Sequence, residues 1–163
     1  MKRSLSAAAI FGLVVAMFFS LSCGRDATVR LSHSQLPVPG TGSEVKVEVW
    51  TDDVANLGAF QFDVVYDTSI VGQPGASLGS FLESTGREVK PVGPDTTTGV
   101  GRVTYGAATT GPNINGPKGS GILATVRFRG LAAGTASLKL EQVLLIDVEG
   151  KPIDYQIKET SAK

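Results

Sequence analysis

Val45, Val47 and Val49 alternate with Lys46, Glu48 and Trp50, a period of two in which one face of an extended segment is apolar and the other wet. The same alternation recurs in Phe60, Phe62, Val64 and Tyr66 against Gln61, Asp63 and Val65. It returns in Val103, Tyr105 and Ala107 against Arg102, Thr104 and Gly106, and in Ala124, Val126 and Phe128 against Thr125, Arg127 and Arg129. Leu138 and Leu140 continue it until Val143-Leu144-Leu145-Ile146 breaks the period, which predicts a bulge or a strand buried on both faces. A first strand is expected beside His33. Between these runs stand Pro37-Val38-Pro39-Gly40, Gly72-Gln73-Pro74-Gly75, Gly111-Pro112, Gly116-Pro117 and Glu149-Gly150-Lys151-Pro152. Glycine supplies positive φ and proline fixes its own, so each of these predicts a turn. Twenty glycines and eight prolines leave little room for helices, and only Ser80 to Ser84 suits one short helical turn. Many short strands with turns between them predict an all-β fold, an antiparallel sandwich or barrel.

The first residues follow a different pattern. Lys2 and Arg3 precede an unbroken apolar run, Ala7 to Phe19, and Ser20-Leu21-Ser22 then leads to Cys23. That layout predicts a secretory signal peptide over residues 1–22. The run is shorter than the roughly 18 apolar residues of a spanning helix. Cys23 is the sole cysteine, so no disulfide framework exists even though export would permit one. Its position resembles the lipobox of bacterial lipoproteins and makes Cys23 the candidate lipid attachment site. Ser20 and Ser22 also satisfy the small-x-small rule of ordinary cleavage, so the product is either a membrane-anchored lipoprotein or a secreted protein. Residues 23–26 read as a short tether, 27–157 as the domain, and 158–163 as a polar C-terminal tail.

Charge and chemistry narrow the function. Fifteen bases balance 15 acids over the whole chain, and removing residues 1–22 leaves 13 bases against the same 15 acids. A phosphate backbone demands a positive field, so nucleic acid is excluded as a partner. Gly75-Ala76-Ser77-Leu78-Gly79 fits a G-x-S-x-G nucleophile elbow, but that elbow needs a later histidine, and the single histidine, His33, precedes it. One histidine cannot complete a zinc site, and Asp147-Val148-Glu149 lacks the spacing of a calcium loop. The residues therefore predict no metal, no cofactor and no catalysis. Direct carbohydrate binding is the alternative to a protein partner. Phe60, Phe62, Tyr66, Tyr105 and Phe128 all fall on core phases, which leaves Trp50, with Tyr155, as the material for a sugar platform.

Three blocks carry a family resemblance. Leu57-Gly58-Ala59-Phe60-Gln61-Phe62-Asp63-Val64-Val65-Tyr66-Asp67 resembles the third strand of cohesin domains. Gly121-Ile122-Leu123-Ala124-Thr125-Val126-Arg127-Phe128 is similar to their G-x-L-A-T-I-x-F strand. Gly134-Thr135, Leu138, Leu140, Leu145-Ile146-Asp147 and Gly150-Lys151-Pro152-Ile153 resemble their closing strands. The blocks occur in the family's order, and the resemblance covers about Ala27 to Ile157. The resemblance implies a jelly-roll sandwich of about nine strands. It also implies a role in docking dockerin modules borne by polysaccharide-degrading enzymes, with any calcium belonging to the partner. The partner would lie across one sheet, meeting Ala59, Gln61 and Asp63 on the third strand. It would also meet Arg102 and Thr104 on the sixth, over 101–109, and Lys139 and Glu141 on the eighth, over 135–141. All of these are expected to face solvent. Trp50 would stand on the opposite sheet, whose outer surface also presents Thr125, Arg127 and Arg129. There Trp50, Arg127 and Arg129 form a second candidate patch with an Arg–Trp contact, unless the segment 52–56 covers the ring.

Overall fold

The computed structural model describes residues 26–160, so the expectations for the signal peptide and for Cys23 lie outside the described residues. The chain forms ten strands: β1 (Ala27–Leu31), β2 (Gln35–Val38), β3 (Glu44–Val54), β4 (Leu57–Tyr66), β5 (Val71–Leu78), β6 (Glu88–Asp95), β7 (Arg102–Thr110), β8 (Gly119–Gly130), β9 (Gly134–Asp147) and β10 (Tyr155–Lys158). The alternating runs lie in five of them, β3, β4, β7, β8 and β9. The ten strands form two five-stranded sheets, ordered β10-β1-β3-β8-β5 and β2-β9-β4-β7-β6, stacked as a jelly-roll sandwich. Each pairing is antiparallel except that of β1 with β10.

The period of two accounts for the core. Val47 and Val49 on β3, and Ala124, Val126 and Phe128 on β8, point inward from one sheet. Phe60, Phe62 and Val64 on β4, Val103 and Tyr105 on β7, and Leu138 and Leu140 on β9 meet them from the other. Phe60 and Phe62 stack with centroids 5.9 Å apart, and the Tyr105 ring leans on both. At Ser80 to Ser84 the chain makes hydrogen-bonded turns rather than a helix. The Ser84 amide and hydroxyl both donate to the Phe81 carbonyl, while Phe81 and Leu82 plug the core.

Two turn signals prove to lie inside strands. Gly72-Gln73-Pro74-Gly75 is a bulge within β5, with Gln73 at a φ of 47° and a register shift between Gly72 and Gly75. Pro37 stands within β2. Both are edge strands, where a missing N–H faces away from the ladder and costs nothing. The edge strand β6 carries Pro91 and Pro94 in the same manner. Three of the four sheet edges thus hold prolines, which blunts edge-to-edge pairing with other chains. The fourth edge is β10, and the segment after it is also fastened. Thr160 donates through its hydroxyl to the Leu31 carbonyl at 2.5 Å, and Ser34 donates to the Thr160 carbonyl at 2.5 Å. Beside this fastening a cleft of about 630 Å³ opens between β10 and β9, lined by Leu31, Leu138, Leu140 and Ile157.

The break at Val143–Ile146 is a bulge. Gln142 takes a φ of 47°, and β9 residues 142 and 143 together oppose Phe62, between the pairs Asp63–Glu141 and Gln61–Leu144. The bulge resets the phase, so Val143 and Leu145 are buried while Leu144 turns outward at 43 % exposure.

Candidate functional site

Residues directly opposite in a ladder share a face, so the registers lay out the outer surface of the β2-β9-β4-β7-β6 sheet row by row. The first row is Lys139, Val65 and Arg102; the second is Glu141, Asp63, Thr104 and Asp95. The third is Leu144, Gln61, Gly106 and Val92; the fourth is Ile146, Ala59, Ala108 and Lys90. All seven residues expected at the docking face therefore do share one face. It divides into an ionic half and an apolar half.

The ionic half is a closed network. Arg102 donates through Nη1 to Asp63 Oδ2 at 2.5 Å and through Nη2 to Glu141 Oε2 at 2.8 Å. The Thr104 hydroxyl donates to Asp63 Oδ1 at 2.6 Å, and Lys139 Nζ lies 3.1 Å from Glu141 Oε1. Asp63 is only 6 % exposed, which corrects the expectation that it faces solvent. It sits on the outer phase of β4, but the Arg102 side chain arriving from β7 covers it. Gln61, Gln142 and Thr98 rim a shallow depression of about 440 Å³ over this network. Thr98, on the hairpin between β6 and β7, reaches the Thr104 hydroxyl at 3.0 Å.

Arg102 first, and then Lys139, hold the Glu141 carboxyl below its ordinary range, while Asp63 and Glu141 raise the Arg102 guanidinium. Because the folded-state value of Glu141 is depressed, its stabilising contribution is present above the unfolded-state value, about 4.3, and is lost as pH falls through the folded one. A Glu141→Gln variant is expected to melt below the wild type at neutral pH, with the gap closing as pH drops below about 4. Melting curves of both proteins across pH check this, and a gap that persists in acid would deny Glu141 its role.

The apolar half was not legible from the alternation. Leu144 is 43 % exposed and Val92 66 % exposed, and Gly106 lies between them in the same row, next to Gln61. Gly106 is buried, and a Cβ there would come within 2.7 Å of the Phe60 carbonyl oxygen, so the row carries no side chain at this point and is low at its centre. Ala59 and Ala108 extend this flat strip. The bulge hid Leu144 by shifting its phase. Val92 was hidden because the prolines of β6 mask strand character.

The opposite sheet carries the second patch, with a different partner for Trp50. A bulge on β8 sets Trp50 opposite Ile122, while Lys46 faces Arg127 and Glu44 faces Arg129. The guanidinium over the Trp50 ring, 5.2 Å from its centroid, belongs to Arg30, not to Arg127 or Arg129. Arg30 is held in turn by Asp52 at 2.9 Å, and the indole Nε1 donates to Glu48 at 3.0 Å. The ring is therefore covered by Arg30 from β1. Tyr155 is half-buried and gives its hydroxyl to the Val143 carbonyl at 2.5 Å, so it supplies no open sugar platform.

The remaining motifs resolve as structure. Ser77 lies within β5, its hydroxyl 3.5 Å from the Thr125 carbonyl on β8, rather than on a strand-to-helix elbow. His33 lies in the turn between β1 and β2 against the Ser32 hydroxyl. Asp147 accepts the Glu149 and Lys151 amides and thereby shapes its own turn. Among the described residues no group of three or more His, Cys, Asp or Glu is placed to hold a metal ion.

No family model and no curated protein sequence matches the chain. Solved structures do. A non-cellulosomal cohesin from the archaeon Archaeoglobus fulgidus superposes with a TM-score of 0.58 at 17 % identity, over 84 % of this chain and 93 % of that one. The second type II cohesin module of the adaptor ScaA scaffoldin of Acetivibrio cellulolyticus gives a TM-score of 0.67 at 15 % identity, over 85 % and 92 %. The sixth cohesin of scaffoldin B from the same organism, solved in complex with a mutant Cel5 dockerin, gives 0.62 at 13 % identity, over 82 % and 95 %. The fold is cohesin-like.

Proposed function

We propose that the chain is an exported, non-catalytic docking module that seats a dockerin-type protein on the outer face of its β2-β9-β4-β7-β6 sheet. The row Leu144–Gln61–Gly106–Val92 carries this reading. Two aliphatic side chains left in water, Leu144 on β9 and Val92 on β6, flank Gln61 and the side-chain-free Gly106 on a flat sheet, and the charged network borders them, which is the composition of an interface centre with a polar rim. Because Arg102 and Glu141 already satisfy each other and Asp63, the network contributes shape and register. The apolar strip contributes affinity. The partner surface that fits is a helix whose ridge of small and aliphatic residues lies over Gly106, with one polar group for Gln61.

The cohesin of scaffoldin B was solved with a dockerin bound, which supports the same class of partner here. A sugar platform is the weaker reading, since Arg30 covers Trp50 and the Tyr155 hydroxyl is spent. In this reading residues 1–22 direct export and a lipid on Cys23 holds the domain at the membrane.

Calorimetric titration with a panel of dockerin modules tests the site. One of them is expected to bind, and Leu144→Arg should weaken that complex by about 2 kcal/mol or more, roughly thirtyfold. Binding left intact by Leu144→Arg and Val92→Arg alike would move the site off this sheet.

A further inference from the structure

We propose that Lys46, Arg127 and Arg129, on the outer face of the β10-β1-β3-β8-β5 sheet, form a binding site for a linear acidic polysaccharide, one that carries carboxylates on successive sugars. The site stands apart from the docking face and does not depend on it.

The first observation is a like-charge pair. Lys46 and Arg127 are direct cross-strand partners, an arrangement that destabilises a sheet unless an anion sits between the two. Arg129 follows Arg127 on the same face of β8, two residues along. The second observation is their lack of partners. Arg30, Lys90, Arg102, Lys139 and Lys151 each lie within 4.0 Å of a carboxylate. Among the described residues, Lys46, Arg127 and Arg129 do not; Arg87, Lys118 and Lys158 also have no such pair, but only the first three stand side by side on one sheet face, on β3 and β8. Glu44 stands opposite Arg129 in the ladder without pairing to it, and the Glu48 carboxylate is taken by the Trp50 indole. The third observation is space. The residue opposite Arg127 on β5 is Gly75, and a Cβ built there meets nothing within 4 Å. The guanidinium fork is thus open along its flank to a planar, bidentate carboxylate.

The spacing selects the ligand. Neighbouring strands lie about 4.8 Å apart and alternate residues on one strand about 6.6 Å apart, so the three cations are set out along one short stretch of the sheet. A narrow chain with regularly spaced carboxylates can meet all three. A flat bilayer surface fits less well, because it would press on Glu44, Glu48 and Asp52 together, whereas a narrow chain need cross only the three cations. Recognition is ionic rather than by stacking, since the Trp50 ring is already covered.

Binding of the purified protein to polygalacturonate, followed by affinity electrophoresis and calorimetry, tests the site. Retardation is expected at low salt, with neutral cellulose giving none. Raising the salt from about 50 to about 200 mM should weaken binding by about tenfold or more, as three ionic contacts require. Arg127→Gln and Lys46→Gln should each weaken binding several-fold while leaving the melting temperature unchanged or slightly raised, because each relieves the like-charge pair. Failure to bind polygalacturonate at low salt would overturn the proposal. So would binding as tight as the wild type's by both variants, or capture by phosphatidylglycerol vesicles with no binding to the polysaccharide.

Discussion

Asp63→Lys is expected to cost about 3 kcal/mol of stability, the lower end of the range for breaking a buried ion pair. The substitution sets an ammonium where a carboxylate receives Arg102 at 2.5 Å and Thr104 at 2.6 Å, at a position 6 % exposed. Arg102 then loses one partner and meets a like charge. The lower end applies because the Arg102 side chain keeps about a quarter of its surface in water and can swing outward. This revises the picture drawn from alternation alone, in which Asp63 is a free contact and its replacement spares the fold. Urea unfolding checks the figure through the midpoint at constant slope. A paired Asp63→Leu, Arg102→Met variant, which removes both charges, should recover much of the loss. A shift under about 0.5 kcal/mol for Asp63→Lys would mean that the network is ornamental to stability.

Phe62→Ala is expected to cost more, about 3–5 kcal/mol. Phe62 is 1 % exposed, stacked on Phe60 and touched by Tyr105. It also lies opposite the β9 bulge, where residues 142 and 143 share one partner. The same loss should reach the docking face, because the bulge that Phe62 supports is what turns Leu144 outward. Thermal unfolding together with partner titration checks both effects. A stable Phe62→Ala protein with unaltered binding would uncouple the bulge from the site.

The contrast between these two residues shows what alternation can and cannot reveal. Phe62 was legible as core because period two needs only the local sequence. Asp63 was legible as outward for the same reason, but its burial depends on Arg102, 39 residues later, which no local pattern records. Gly121 to Phe128 and Leu57 to Asp67 were readable as strands because both faces differ in polarity. β5 and β6 were not, since edge strands rich in proline and glycine bury little and mimic turns. Val92 is hidden for that cause and Leu144 by the phase shift of the β9 bulge, and with them the apolar half of the face. Trp50 was read correctly as outward, while its arginine was sought on β8. Arg30 lies on β1, in direct register with Trp50.

The one parallel pairing in the sandwich has a mechanical consequence. β1 and β10 run the same way, with Ala27 beside Tyr155 and Arg30 beside Lys158, so the chain enters this seam at one end and leaves it at the other. Tension applied at residues 26 and 160 would slide these strands past each other. All the bonds of the seam, with those of Thr160 to Leu31 and Ser34 to Thr160, would then be loaded together instead of parting one after another. A module pulled from both ends would therefore resist force in shear, and a cut after residue 154 should leave it far easier to pull open.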